Sequence, residues 1–473
     1  MLWTVAFCRQ IKCALAYTGF VALASIFTMT FSVFDRATTL KKAFRACNVE
    51  PLVGEAIARY YVDLSAVRKT EAIEGVNTIL DFQEPGEYTN ILFTGHRGCG
   101  KSTELKRIQK QWEQDYRVIY LEVDEETDIN DADYTDLYLI VIKQVEFELR
   151  KLNLKLDRKL LSEFENWFKE VTKEDERSVE SSISVGTEAT LGPEAPFLAK
   201  LLVKLLAQIK GSDKSKTTIR QTLQRDISRL KADINLLLSD AYKKIKDKYP
   251  KGFLIIFDNL DRVTPQIGDR LFFDHGTQLK ELNCTLIYTV PISVISSPKS
   301  LTKDFSNLHI MPMVNIYQFK RDRCDLDYNQ PGLEGMASLI EQRVDSEAVF
   351  ESREQLIDLA KASGGNVRQL MQLMRIACRT ASTRGHNKIT SEDITYAVRQ
   401  EQFNFERFIP DEHYPILAQV CLKKNIPKDL IGQLMMFNLS VLEYNGDNRW
   451  NYPNPVVRQS ESFQTALQNA QLP

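Results

Sequence analysis

Gly95-His96-Arg97-Gly98-Cys99-Gly100-Lys101-Ser102 fits the phosphate-loop pattern G-x-x-x-x-G-K-[ST] at every fixed position. In that pattern the backbone N–H groups of a glycine-rich turn wrap the α- and β-phosphates of a nucleotide. The lysine reaches the β- and γ-phosphates, and the Ser/Thr hydroxyl takes a place on Mg²⁺. A helix N-terminus under the loop adds its dipole to the anion site. The flanks agree: residues 90–94 read Asn-Ile-Leu-Phe-Thr, an apolar strand, and residues 101–112 read as a helix. Gly95, His96, Arg97, Gly98, Cys99, Gly100, Lys101, Ser102 and Thr103 are therefore candidate ATP contacts. Lys101 is also a candidate catalytic residue, and Ser102 a candidate Mg²⁺ ligand.

Further strands line up behind the loop. Residues 117–123 look like a second strand. Residues 252–257 are apolar throughout and run into Asp258-Asn259-Leu260-Asp261-Arg262. An apolar strand ending in an acid is what a central parallel strand with a catalytic tip looks like. Residues 284–288 lead to a polar tip at Thr289, and residues 309–314 give one more strand. Strands alternating with helices predict an α/β fold with a parallel, doubly wound sheet.

The expected organisation is an apolar N-terminal segment over 1–34 and a core over 35–315, interrupted by a helical insertion at about 128–250. A helical lid over 316–405 and a winged-helix-like domain over 406–473 follow. Within the insertion, residues 175–192 read as a loop rich in Ser, Glu, Thr and Gly. Residues 197–209 read as an amphipathic helix for core or partner packing. Apolar steps of three and four from Ile219 predict one long helix ended by Pro250. Between Lys214 and Lys248 ten basic residues face four acidic ones: a solvated basic face, or a nucleic-acid or partner surface. In the tail, two short helices precede residues 439–444, and Asn445-Gly446 marks a hairpin turn.

Composition narrows the function. With 61 basic and 63 acidic residues the net charge is −2, which excludes a wholesale polycationic nucleic-acid binder but not a local patch. The eight cysteines show no C-x-x-C spacing and no cysteine–histidine cluster, so they read as reduced thiols. No metal other than nucleotide-bound Mg²⁺ is suggested. Residues 13–34 form an uncharged run of 22, long enough to cross a bilayer. Three readings compete: a membrane anchor with the core in the cytoplasm, a start at Met29, and, ranked last, a secretory signal.

The loop, the Asp258 strand, the Thr289 tip and the later Gly364-Gly365-Asn366-Val367-Arg368 come in an order that resembles the AAA+ and STAND branches of P-loop ATPases. Initiator-type members with a C-terminal winged helix are the nearest match in shape, over roughly residues 55–460. The resemblance implies that Asp258 is the Walker B acid holding Mg²⁺, Thr289 a sensor beside the γ-phosphate, and Arg368 the lid arginine. Where many AAA+ ATPases carry a catalytic Glu after the Walker B Asp, this chain has Asn259. Asp261 is then the candidate base, in the D-x-x-D arrangement of STAND and KAP-type NTPases, and hydrolysis is expected to be slow. Plainer readings stand beside these: Asp261 as a helix cap or a partner of Arg262, Thr289 as an ordinary strand-end hydroxyl, Arg368 as a surface residue. Arg262, Arg321 and Arg323 are the candidates for an arginine acting across subunits. The expected function is an ATP-dependent regulatory switch in bacterial signalling or defence. It would form an ATP-dependent homo-oligomer, meet a protein partner, and touch a membrane only through residues 13–34. The alternative is a DNA-associated ATPase of the initiator or transposition-helper kind.

Overall fold

The computed structural model describes residues 36–172, 196–211 and 213–471. The apolar run at 13–34, the Met29 start and the loop at 175–192 lie outside the described residues. No described helix is long and apolar enough to cross a membrane.

Five strands form one parallel sheet: β1 (Asn90–Gly95), β2 (Arg117–Glu122), β3 (Phe253–Asp258), β4 (Thr285–Pro291) and β5 (Asn307–Met311), in the order β2-β3-β4-β1-β5. Every residue of β3 and β4 is buried, as near-continuous apolar runs covered on both faces require. Register places Glu122 beside Asp258 and Phe93 beside Thr289, so the chemistry-bearing residues collect at the carboxyl edge. β5 is shorter than its apolar run. Pro312 follows it, and the amides of Met313 and Val314 donate to Glu443 and Gly365 instead of to β1.

Helices of seven residues or more are numbered in chain order. α1 (Leu40–Ala46) and α2 (Ala72–Phe82) precede the sheet, and α3 (Lys101–Trp112) follows the loop. The insertion comprises α4 (Tyr134–Lys151), α5 (Arg158–Thr172), α6 (Phe197–Gly211), α7 (Asp213–Arg225) and α8 (Ile227–Ile245). α6 buries Leu198, Leu201, Leu202, Leu205 and Leu206 and packs on α4, so the amphipathic stripe is core.

The single helix expected from 219 to 250 is in fact two, α7 and α8. Asp226 leaves helical geometry at φ −126° and ψ 42°. Its carboxylate accepts the Trp167 indole N–H at 3.3 Å, and Asp is a poor helix-interior residue because it competes for nearby backbone donors. Part of the basic charge of this region is spent inside the protein, while Arg225, Lys243, Lys246 and Lys248 are exposed. Lys216 and Arg220 meet Asp131 at 3.0 and 2.7 Å, Arg220 meets buried Asp136 at 2.5 Å, and Lys231 meets Glu281 at 2.8 Å.

After the sheet come α9 (Gln330–Glu341), α10 (Arg353–Ala362), α11 (Val367–Thr383) and α12 (Ser391–Glu406), then α13 (Tyr414–Lys423) and α14 (Leu430–Phe437). The antiparallel hairpin of β6 (Val441–Tyr444) and β7 (Trp450–Pro453) is the one signalled by Asn445-Gly446. A last helix, α15 (Glu461–Gln471), packs on α13 and was not legible in the sequence. Reduced thiols were expected throughout, yet Cys324 and Cys421 form a disulfide between the segment after β5 and α13. Cys47, Cys99, Cys284 and Cys378 are free and buried. The pairing joins positions 97 residues apart, a tertiary proximity that spacing alone does not reveal.

Candidate functional site

The loop turns out of β1 at Gly95 and enters α3 through Gly100, which holds a left-handed φ of 111°. Lys101 is buried. Its ammonium donates to the carbonyls of Gly95 and His96 at 2.8 and 2.9 Å and pairs with Asp261 Oδ2 at 2.8 Å. Burial works against that charge, but the Asp261 carboxylate more than offsets it, so Lys101 is held above its ordinary pKa. A phosphate entering the loop competes with Asp261 for the same ammonium.

Asp258 and Asp261 do different jobs. Asp258 is buried at the tip of β3; its Oδ1 accepts the Asn259 N–H at 2.8 Å and its Oδ2 the Tyr120 hydroxyl at 2.5 Å. Burial, and then the Asp258 charge, push the Tyr120 hydroxyl far above its ordinary range, so it stays a donor. Asn259 adopts a left-handed φ of 65°, a conformation Asn tolerates better than Glu does. Its side chain turns away to Asp124 at 2.8 Å, which also binds Arg262 at 2.5 Å. Asp261 faces the cavity together with Lys101, Ser102 and Arg368.

Thr289 stands one step behind the site. It is fully buried, its hydroxyl donates to Phe257 O at 3.0 Å, and it accepts the Asp261 N–H at 3.3 Å. Of the two, Asp261 faces the cavity, and the Thr289 hydroxyl ties the turn that carries Asp261 to the end of β3. The Thr103 hydroxyl accepts the Leu52 N–H at 3.1 Å and ties the segment after α1 to the cavity that both residues line.

The lid meets the loop at backbone level. Asn366, the N-cap of α11, donates to Arg97 O at 3.0 Å, and the Arg368 N–H donates to Gly98 O at 3.0 Å. A Cβ on Gly98 would lie 2.6 Å from Asn366 Oδ1 and from Arg368 Cβ, so this approach requires glycine. On the other side, His96 is wholly buried and its Nε2 accepts the Glu443 N–H of β6 at 2.8 Å. Burial, followed by the Lys101 charge, lowers its pKa to about 3, so the ring is neutral. α14 packs on the one-turn helices Pro265–Asp269 and Ile292–Ile295 of the core, and Tyr444 OH donates to Gly364 O at 2.7 Å.

Arg68 and Arg343 were not anticipated. Both are buried and line the cavity; Arg68 donates to Cys99 O at 2.5 Å and Arg343 to Leu339 O at 2.5 Å. Their hydrogen bonds go to carbonyls, so the cavity is lined by positive charge suited to an anionic ligand. Of the arginines proposed to act across subunits, Arg262 faces the cavity and is paired with Asp124. Arg321 and Arg323 are exposed.

Among the described residues no group of three or more His, Cys, Asp or Glu side chains could cage a metal alone. Ser102, which lines the cavity, and Asp258, buried at the tip of β3 behind it, carry hard oxygen donors. That donor set suits Mg²⁺, which is typically held by one or two protein groups together with substrate phosphates and waters.

Residues 70–273 match the KAP family P-loop domain. The chain carries a P-loop NTPase domain. No curated protein sequence matches this chain. Solved structures similar to it include the ORC2 protein of Aeropyrum pernix with ADPNP and ADP, at 12% identity and a TM-score of 0.39, over 90% of this chain and 98% of that one. A Walker-type ATPase of Pyrococcus abyssi is 13% identical with a TM-score of 0.40, over 89% and 99%. Drosophila ORC bound to DNA is 9% identical with a TM-score of 0.35, over 92% of each chain. Likenesses at TM-scores this low carry no argument about what the chain does.

Proposed function

We propose that this NTPase binds ATP with Mg²⁺, hydrolyses it slowly, and acts as a nucleotide-dependent switch of the AAA+/STAND type. Lys101 and the loop amides hold the phosphates, Ser102 and Asp258 hold Mg²⁺, and Asp261 orients the attacking water once a phosphate has drawn Lys101 away. Thr289 serves by positioning Asp261, and Arg368 couples the nucleotide to the lid. When bound, Mg²⁺ neutralises charge on the phosphates.

The observation that carries the switch reading is the meeting of three parts on one loop. His96 accepts from the C-terminal hairpin, while the Arg97 and Gly98 carbonyls accept from the lid. A loop that rearranges around phosphates then bears on both partners at once. The C-terminal unit is read as a winged helix whose release from the core exposes a protein-binding surface, with ATP favouring a homo-oligomer.

The DNA-associated reading rests on the exposed Arg225, Lys243, Lys246 and Lys248 of the helical insertion and finds no support in the C-terminal unit. α14, the helix best placed to enter a groove, reads Leu-Ile-Gly-Gln-Leu-Met-Met-Phe, has no basic residue, and is packed on the core. In the basic insertion helices Lys216, Arg220, Lys231 and Lys244 are all ion-paired within the protein.

ATP hydrolysis and particle mass, measured with and without ATP on the full chain, test the proposal. Wild type is expected to turn over slowly and grow in mass with ATP. Lys101→Ala should lose both, and Asp261→Asn should keep the larger form while losing turnover. Normal hydrolysis by Asp261→Asn together with an unchanging mass would remove both the assigned base and the switch.

A further inference from the structure

Tyr120 lies on β2, the edge strand, two residues before Glu122, which pairs in register with Asp258. In parallel strands residues in register share a face, so Tyr120 and Asp258 are diagonal neighbours within reach of an aromatic side chain. The Tyr120 hydroxyl donates to Asp258 Oδ2 at 2.5 Å, and the Asn259 N–H donates to Oδ1 at 2.8 Å. The ring is itself pinned: the Lys106 ammonium of α3 lies 3.2 Å from its centroid. Each carboxylate oxygen thus already accepts one directed bond.

An aspartate carboxylate turns on a broad torsion, so one backbone bond leaves its other oxygen free to swing. A second donor on the far oxygen removes that freedom. Each oxygen then offers its remaining lone pair in one direction. A phenylalanine would fill the same space on β2 without the hydroxyl, so filling space gives no reason for the tyrosine.

We propose that Tyr120 is a positioning residue for nucleotide-bound Mg²⁺, holding the Asp258 carboxylate in the one orientation that engages the ion, with Lys106 holding the ring. This rests on reading Asp258 as the Mg²⁺-holding acid. It predicts a specific loss: the benefit that Mg²⁺ brings to nucleotide binding, and not nucleotide binding as such.

The test is the dissociation constant of a fluorescent ADP analogue, measured in Mg²⁺ and in EDTA, for wild type, Tyr120→Phe, Asp258→Asn and the double variant. Tyr120→Phe is expected to shrink the EDTA-to-Mg²⁺ ratio by roughly 10-fold or more, as loss of an outer-shell partner does. Its affinity in EDTA should stay within about twofold of wild type, because its hydroxyl acts only through Asp258. In the Asp258→Asn background it should change nothing further. An unchanged ratio in Tyr120→Phe, or an equal loss in EDTA, overturns the proposal. If Asp258→Asn also keeps the wild-type ratio, the reading of Asp258 fails with it; if Asp258→Asn loses the ratio, only the role of Tyr120 fails. Thermal unfolding in EDTA accompanies every variant. Should Tyr120→Phe not fold, Lys106→Gln carries the test: a smaller fall in the ratio supports the proposal and an unchanged ratio overturns it.

Discussion

One half of the framework around the cavity is built by neighbouring strands and the other by segments far apart in the chain. At the strand tips, Tyr120, Asp258, Thr289 and Asp261 are fixed by sheet register and by hydrogen bonds between adjacent strands. At the clasp, Asn366 reaches Arg97 across 269 positions and Glu443 reaches His96 across 347. The first half is as stable as the sheet itself. The second adds long-range hydrogen bonds between segments far apart in the chain to an apolar core shared with the sheet, and such bonds are where sub-global opening is expected to begin. On the proposed function, chemistry belongs to the first half and the response to nucleotide to the second.

The disulfide of the C-terminal half gives the largest expected effect. Cys324–Cys421 closes a loop of 97 positions, and restricting the unfolded chain over that span is worth about 4–5 kcal/mol. Cys324→Ser with Cys421→Ser should lower the urea midpoint accordingly. If the comparison of the two halves is right, the loss is uneven. Hydrogen exchange should quicken more in the hairpin and α13, which open sub-globally, than in β3 and β4, which follow only the global loss. Equal acceleration in the sheet would merge the two halves into one cooperative unit.

The same division explains what could be read from the sequence. The loop, the all-apolar β3 and the Asn-Gly hairpin carry their cause within a dozen residues, and they appear where expected. The break at Asp226 does not, because what draws that carboxylate out of the helix is Trp167 on another helix. β5 stops early because the amides beyond Pro312 bond to the hairpin and lid, which no local pattern announces. In the site, Lys101, Ser102, Asp258 and Asp261 were legible from motif spacing. Arg68, Arg343 and Tyr120 were not, since an ordinary arginine or tyrosine gains a role only from the neighbours that the fold supplies. Thr289 was legible as a strand-tip hydroxyl, but its partners Phe257 and Asp261 became visible only through strand pairing.

A smaller perturbation separates lid from loop without touching any charged group. Gly98→Ala puts a methyl 2.6 Å from Asn366 Oδ1 and Arg368 Cβ, at a φ of 83° that alanine resists. The backbone strain alone costs about 1–3 kcal/mol. Moving α11 back from the loop relieves the contact, so the hydrogen bonds from Asn366 and Arg368 should be lost first. Protease cleavage near residues 363–366 should rise while the fold persists. Unchanged cleavage with a full loss of stability would mean that lid and core do not separate.

The effect that is smallest near neutral pH is a titration, and it isolates the other contact of the clasp. His96 is neutral when folded, with its pKa lowered to about 3 by burial and by Lys101, against 6.5 for the ordinary group. Below pH 6.5 the unfolded chain takes up a proton that the folded ring refuses. The stability contributed by this residue is therefore present above pH 6.5 and is lost as pH falls from there toward 3, by up to about 1.4 kcal/mol per unit. His96→Gln keeps an acceptor for the Glu443 N–H but has nothing to titrate. Near pH 7.5 the two proteins should differ by no more than about 1 kcal/mol, the net worth of one hydrogen bond. Below pH 6 the wild type should lose stability faster, and urea midpoints at pH 5.0 and 7.5 read the difference directly. Parallel losses in the two proteins would place His96 in water, with the hairpin already released from the loop and the clasp open in the absence of nucleotide.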